Sequence, residues 1–299
     1  MISTESYTPE YVLRLRQFTD VCACPGCRQQ PWQITRLWQD QIRHSARPDC
    51  DRAAQEIICR EDAFVLHSEI APPPQAARLD PRQQAMNQAA INLAIASDAA
   101  PETILYALGV LIGKSRELAE PQQITAFGDE LVTMLQQGTL AQAFAQLPPV
   151  ESYKLATLRA LSRSDLDASF DPLTGMTLVL KLNEINVMST RYLQDMLASL
   201  QQDRQLATFM QERRSVFINV LLYVFYHHVF PGVDDRAWEA QYNRLCQHFF
   251  SLKMLCALFM QSYLVLDDET LAALFAALHR LPDAEVHDDP LLGGIALLK

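Results

Sequence analysis

Pro101-Glu102-Thr103-Ile104-Leu105-Tyr106-Ala107-Leu108-Gly109-Val110-Leu111-Ile112 is the stretch that decides the fold. Proline suits the first turn of a helix, where its missing N–H would have had no partner. Ile104, Leu105, Leu108, Leu111 and Ile112 then recur at the spacing that places them on one helical face. The same punctuation flanks this stretch. Asp80-Pro81 is an N-cap followed by proline, and predicts a helix from Arg82 to about Ser97. Pro121 opens another, with Phe127, Leu131, Met134 and Leu135 inward and Gly138 at its end.

Working outward, short helices are expected over Ala141–Gln146 and Val150–Ser162, then a loop from Ser164 to Gly175 rich in aspartate. Longer helices are expected over Met176–Leu200 and Asp203–Phe230, broken by Pro231-Gly232. Asp234 or Asp235 caps a helix reaching about Tyr263, and Asp267 caps one over Asp268–Arg280. The tail after Asp283 is expected to fray. Only nine glycines serve 299 residues, and alternating strand patterns are scarce. The fold class is all-α: a multi-helix array with a small cysteine-containing N-terminal module. Ala71-Pro72-Pro73-Pro74 is a stiff segment that reads as a linker. The expected organisation is a cysteine- and arginine-rich module over 1–70, a linker over 71–80 and a helical domain over 81–299.

A net charge of −10 leaves no basic surface for nucleic acid. The N-terminus lacks a basic and apolar signal pattern, and the most apolar window, Val216–Phe230, is too short to span a bilayer. A cytoplasmic protein without membrane or nucleic-acid partners is expected, with its seven cysteines reduced or acting as ligands.

Five of those cysteines lie in the first fifth of the chain. Cys22, Cys24 and Cys27 are crowded around Pro25-Gly26, followed by Cys50 and Cys59. Clustered thiolates in a reducing compartment point to a metal or iron–sulfur site, and Cys22, Cys24, Cys27 and Cys50 are the candidate ligands. The spacing matches neither a zinc ribbon nor a ferredoxin, so a loop that has lost its metal is the competing reading. Cys246 and Cys256 read as core residues of an apolar helix. Every basic side chain in the first sixty residues is arginine, suited to carboxylate recognition; lysine is rare throughout. His227, His228 and His248 read as surface or interhelical hydrogen-bonding groups, although two helices could bring one of the adjacent pair near His248, and Arg213-Arg214 reads as a solvated face. No Gly-x-Gly-x-x-Gly, P-loop, Gly-x-Ser-x-Gly or His-Glu-x-x-His motif occurs.

The order of features resembles the FliB-type flagellin lysine N-methylases. The residues that carry the resemblance are the cysteine cluster, Pro31-Trp32-Gln33-Ile34-Thr35, Cys50, Ile104-Leu105-Tyr106-Ala107-Leu108, Gln136-Gln137-Gly138-Thr139-Leu140, Leu221-Leu222-Tyr223, Phe230-Pro231 and Ser251-Leu252-Lys253-Met254-Leu255. The resemblance implies lysine N-methylation of flagellin, S-adenosylmethionine as methyl donor, and a cysteine-bound iron–sulfur cluster. Two features depart from the family pattern. Arg28, Gln29, Gln30 and Pro31 stand where an adjacent cysteine pair is expected before the tryptophan, and the stretch between Trp32 and Cys50 is short. The alternative is therefore a non-catalytic flagellar accessory or protein-binding relative that has lost the iron–sulfur site. No catalytic base and no residue binding the methyl donor can be named from the sequence.

Overall fold

A computed structural model describes residues 3–20, 22–28, 31–262 and 264–299. The N-terminal segment forms a four-stranded mixed sheet: Thr4–Pro9 (β1), Gln33–Leu37 (β2), Gln41–Ala46 (β3) and Leu66–Ala71 (β4), in the order β2-β3-β1-β4. β1 runs parallel to β3 and antiparallel to β4, and β2–β3 is a hairpin. Sequence patterning gave no sign of this sheet, and the reason is visible in its side chains. β1 buries the small hydroxyls of Thr4, Ser6 and Thr8, not large apolar groups. Five of the six β4 residues are exposed, so the apolar alternation that betrays a strand is missing. Glu10–Gln17 (α1) follows β1, and Asp51–Ile58 (α2) follows Cys50.

From residue 81 onward the regular structure is helical, and proline and aspartate set most of the starts. Pro81–Ile95 (α3) is capped by Asp80, whose carboxylate accepts from the Gln83 N–H at 2.8 Å. Pro101–Lys114 (α4) begins at its proline, and Pro121–Gln136 (α5) is held by a reciprocal Glu120–Gln123 capping box. Gly138, at φ 74°, takes the left-handed turn into Thr139–Ala145 (α6), followed by Glu151–Ser162 (α7).

Two expected long helices are each divided. Pro172–Val187 (α8) and Thr190–Gln201 (α9) meet at Ser189, which leaves the helix to cap the second piece. Arg204–Glu212 (α10) and Arg214–His228 (α11) meet at Arg213, whose guanidinium pairs with Asp268 at 2.7 Å. Arg214 donates to the carbonyls of Ala99 and Ser97, so neither arginine is the free solvated face expected of them. Trp238–Gln261 (α12) and Asp268–Arg280 (α13) follow; the expected end at Tyr263 lies outside the described residues.

The tail does not fray. Pro290–Leu298 (α14) is capped by Asp289 and packs on α12. Gly293-Gly294, which reads as loop, is a close-packing face instead: a Cβ on Gly294 would lie 2.5 Å from the Tyr242 ring.

The N-terminal segment shares one contiguous core with the helices, from Tyr11 and Ile57 through Phe217 and Phe249 to Phe275. α2 packs on α11 and α13. Tyr223 donates to the Ala46 carbonyl at 3.0 Å and Tyr226 to that of Tyr7 at 3.0 Å, which fixes the sheet to α11. Cys246 and Cys256 are buried in α12 as expected. Of the five lysines, Lys114, Lys181 and Lys253 pair with Glu117, Glu184 and Glu102, Lys299 donates to helix-end carbonyls, and Lys154 is buried. No helix among the described residues is long and apolar enough to cross a membrane.

Candidate metal centre and adjoining cavity

Cys22, Cys24 and Cys27 lie on the loop after α1, and Cys50 immediately precedes α2. Their sulfurs all lie within 4.8 Å of one another. Cys27 Sγ is 3.2 Å from Cys50 Sγ, which is 3.9 Å from Cys22 Sγ. Gly26 permits this convergence by close approach, not by a left-handed turn. A Cβ there would sit 2.1 Å from the Asp49 carbonyl oxygen, so only glycine lets the Cys24–Cys27 loop lie against the backbone before Cys50. Cys59 stands apart, its thiol donating to the Asp268 carbonyl at 3.4 Å.

Burial pushes the Cys50 thiol up to about 11, and burial followed by its hydrogen bond to Cys50 raises Cys27 further. Burial opposes ionisation of Cys24 too, but backbone N–H groups of Cys27 and Asp51 donating to its sulfur outweigh it and lower its thiol. Four crowded thiols of this kind repel as thiolates unless a cation lies among them. A tetrahedral ion with metal–sulfur bonds of ~2.3 Å has edges of about 3.8 Å between its sulfurs. The Cys50–Cys22 separation of 3.9 Å matches that edge, the Cys27–Cys50 separation of 3.2 Å is shorter, and all four sulfurs stay within 4.8 Å of one another. A cluster of several irons sets its ligand sulfurs farther apart, so it would require these four to spread.

The first-sixty arginines are largely committed within the fold. Arg14 pairs with Glu56 and Asp62, Arg47 with Asp49, and Arg52 with Asp20. Arg43 donates to Gln41, Asn87 and the Tyr226 carbonyl. A carboxylate-binding arginine cluster is therefore not formed by these residues.

A cavity of about 630 Å³ is lined by residues of α7, α11, α12 and α13, and Arg280 of α13 links this region to the backbone around Cys50. Arg280 at the end of α13 donates to the Asp49 carbonyl at 2.5 Å and to Asp51 at 3.1 Å, on either side of Cys50. It also holds the Asp167 carbonyl, in the loop that begins at the cavity wall. The preceding residue, His279, lines the cavity together with His228 of α11 and His248 of α12. The His248 and His279 rings are 4.3 Å apart. Desolvation, then the Arg36 charge, pushes His228 down, an effect that solvent screens because this side chain is exposed; burial, then His228, pushes His248 to about 4; burial holds His279 well below the usual value. These directions favour the neutral form of the His248 and His279 rings at physiological pH. His227 behaves as expected of an interhelical histidine: it faces the sheet and is bonded to Ser45 at 2.7 Å. His228, exposed at the end of α11, fits the surface reading; His248, whose Nε2 is buried without a partner, does not, and His279 carried no signal, being a lone histidine on an apolar helix.

A second cavity, of about 500 Å³, is lined by Lys154, Lys253, Glu102 and Arg214. Burial first, then Lys253, pushes the Lys154 amine down to about 8.

Fold and site together define an all-α body with four converging cysteines at its sheet-bearing end. The chain belongs to the FliB lysine N-methylase C-terminal domain family, whose model matches residues 87–290. The match spans the helices and all of the cavity's histidines; the cysteines precede it. No curated protein and no solved structure matches the chain.

Proposed function

We propose that this protein is a lysine N-methyltransferase acting on flagellin in the cytoplasm, with S-adenosylmethionine as methyl donor and a metal held by Cys22, Cys24, Cys27 and Cys50. The family match over residues 87–290 carries the activity and the flagellin partner. The convergence of four sulfurs within 4.8 Å supports the metal and weighs against a loop that has lost it. An all-thiolate set suits zinc or iron. The division of labour follows the expected boundaries: residues 1–70 hold the metal, 71–80 connect, and 81–299 bind the substrate protein.

The chemistry sets a requirement. Methyl transfer needs the amine lone pair, and a lysine titrating near 10.4 is almost wholly ammonium at neutral pH. A working site must desolvate the lysine and take its proton. Anaerobically purified protein incubated with flagellin and S-adenosylmethionine should raise the intact flagellin mass in steps of one methyl group. Flagellin that is bound but unchanged in mass would overturn the methylase reading and establish the accessory-protein alternative.

A further inference from the structure

The cavity beside α13 has polar groups with nothing to bond. His248 Nε2, His279 Nε2, Gln247 Oε1 and Arg244 Nε are buried without a hydrogen-bond partner among the described residues. Both amide hydrogens of Gln247 are already engaged, by Asn243 Oδ1 at 2.9 Å and the Glu285 carbonyl at 2.9 Å, so its oxygen can only accept from elsewhere. Buried polar groups are normally satisfied, and several unsatisfied ones around one cavity mark a place where a ligand completes them. Neutral imidazoles each present one lone pair, and the glutamine oxygen adds two. An amine offers up to three N–H donors to such a set. Val224, Phe230, Leu245, Leu278 and Leu281 give the same cavity apolar walls, suited to a butylene chain. His228 is exposed and lines it.

We propose that this cavity is the acceptor-amine site: a lysine side chain passes His228, and the ring nitrogens of His248 and His279 take the hydrogens of its amine. The reaction assigned to the site rests on the methylase reading; amine binding does not. In the transfer, the ammonium gives one proton to an imidazole nitrogen. The freed lone pair bonds to the methyl carbon of the sulfonium donor. The carbon–sulfur bond breaks with its electron pair on sulfur, which becomes a neutral thioether, and the nitrogen carries the positive charge.

The proton transfer is uphill from a solvated lysine, since the rings sit well below 10.4. Desolvation lowers a lysine by up to about 3–5 units, which narrows the gap to the His248 ring without closing it. Arg244 and Asp283, 3.9 Å apart, line the same cavity with opposite charges that offset one another, and Asp283 favours the protonated form of His228. The other ionisable groups facing the rings are His227 and Tyr223 on α11 and Arg36 on β2.

The test uses the full-length protein. Flagellin methylation is followed by intact mass from pH 7.5 to pH 10 for wild type, for H228Q, and for the double variant H248Q/H279Q, each checked for its circular dichroism melt. Separately, protein labelled at its histidine ring nitrogens is titrated with Nα-acetyl-lysine amide and with the amine-free Nα-acetyl-norleucine amide. The double variant should lose at least about 100-fold at pH 7.5 and regain most of the rate at pH 10, where lysine sheds its own proton. H228Q, at the exposed ring, keeps the test alive if the double variant fails to fold. Ring resonances of His248 and His279 should shift with the lysine probe alone. Variants within threefold of an active wild type at every pH would overturn the site and leave the methylase reading standing. An inactive wild type whose ring nitrogens still respond to the lysine probe would overturn the methylase reading and uphold the amine site. Rings that ignore the lysine probe would show the cavity to be a water-filled cleft and end the proposal.

Discussion

At the scale of single residues, the four cysteine sulfurs make the sharpest statement, because all four lie within 4.8 Å, compact enough for a single ion. One tetrahedral ion per chain is expected on elemental analysis of the protein purified without chelator. Four irons per chain with a brown colour would show that the sulfurs spread around a cluster. Replacing Cys24 with serine should remove most of the bound metal and lower the melting temperature, since the metal's binding free energy contributes to folding. Lys154 gives a prediction of opposite sign. Its amine titrates at about 8 in the fold against 10.5 unfolded. Between those values the unfolded chain binds more protons, so stability should rise with pH from about 8 to 10.5 through this group and be lowest from it below 8. K154M should stabilise the protein at pH 7 by on the order of 1–3 kcal/mol and flatten that rise. Urea melts of both proteins at pH 7 and pH 10 measure it, and a variant no more stable at pH 7 would refute it.

Among elements, the end of α11 is held against its own preference. Val229 adopts a left-handed conformation, φ 49° and ψ 54°, which disfavours a β-branched residue by about 1–2 kcal/mol. Asn87 of α3 holds this turn, donating to the carbonyls of Phe225 at 2.7 Å and Phe230 at 3.1 Å. Asn87→Ala removes the bond to the Phe230 carbonyl, while that of Phe225 keeps the Val229 and Phe230 N–H groups, and should cost about 1–2 kcal/mol in chemical denaturation. Elements of this sort also explain what a reader of the sequence could see. Helix starts at Asp80-Pro81, Pro101, Pro121 and Asp267 were legible because capping is local chemistry. α14 was hidden because Gly294 is small for the sake of Tyr242, a partner about fifty positions away, and Gly293 for the sake of His287 and Asn243. The sheet was hidden because β1 buries hydroxyls. Of the site, Cys22, Cys24, Cys27 and Cys50 were legible as a cluster of one residue type. The histidine trio was not, since His228, His248 and His279 come from three helices and meet only in the folded chain.

For the whole molecule, a single core means that the cysteine-bearing segment is a structural partner of the helices. α2 covers α11 and α13, and Asn219 on α11 donates to the Ile58 and Arg60 carbonyls. A fragment of residues 81–299 should therefore expose a large apolar face, aggregate, and lack the cooperative melt of the full chain. A soluble, cooperatively melting fragment would show that the two parts fold independently. The placing of the lysines bears on a different matter. A catalyst that alkylates amines is itself a pool of amines, present with the methyl donor at every turnover. This chain offers five lysine side chains, one buried and the others engaged with carboxylates or carbonyls, while arginine supplies most of its positive charge. Guanidinium has no free lone pair to methylate at neutral pH. If the proposed methylase activity holds, the protein is thus built with little of its own substrate, and self-modification should stay a minor drain on the donor even when flagellin is scarce.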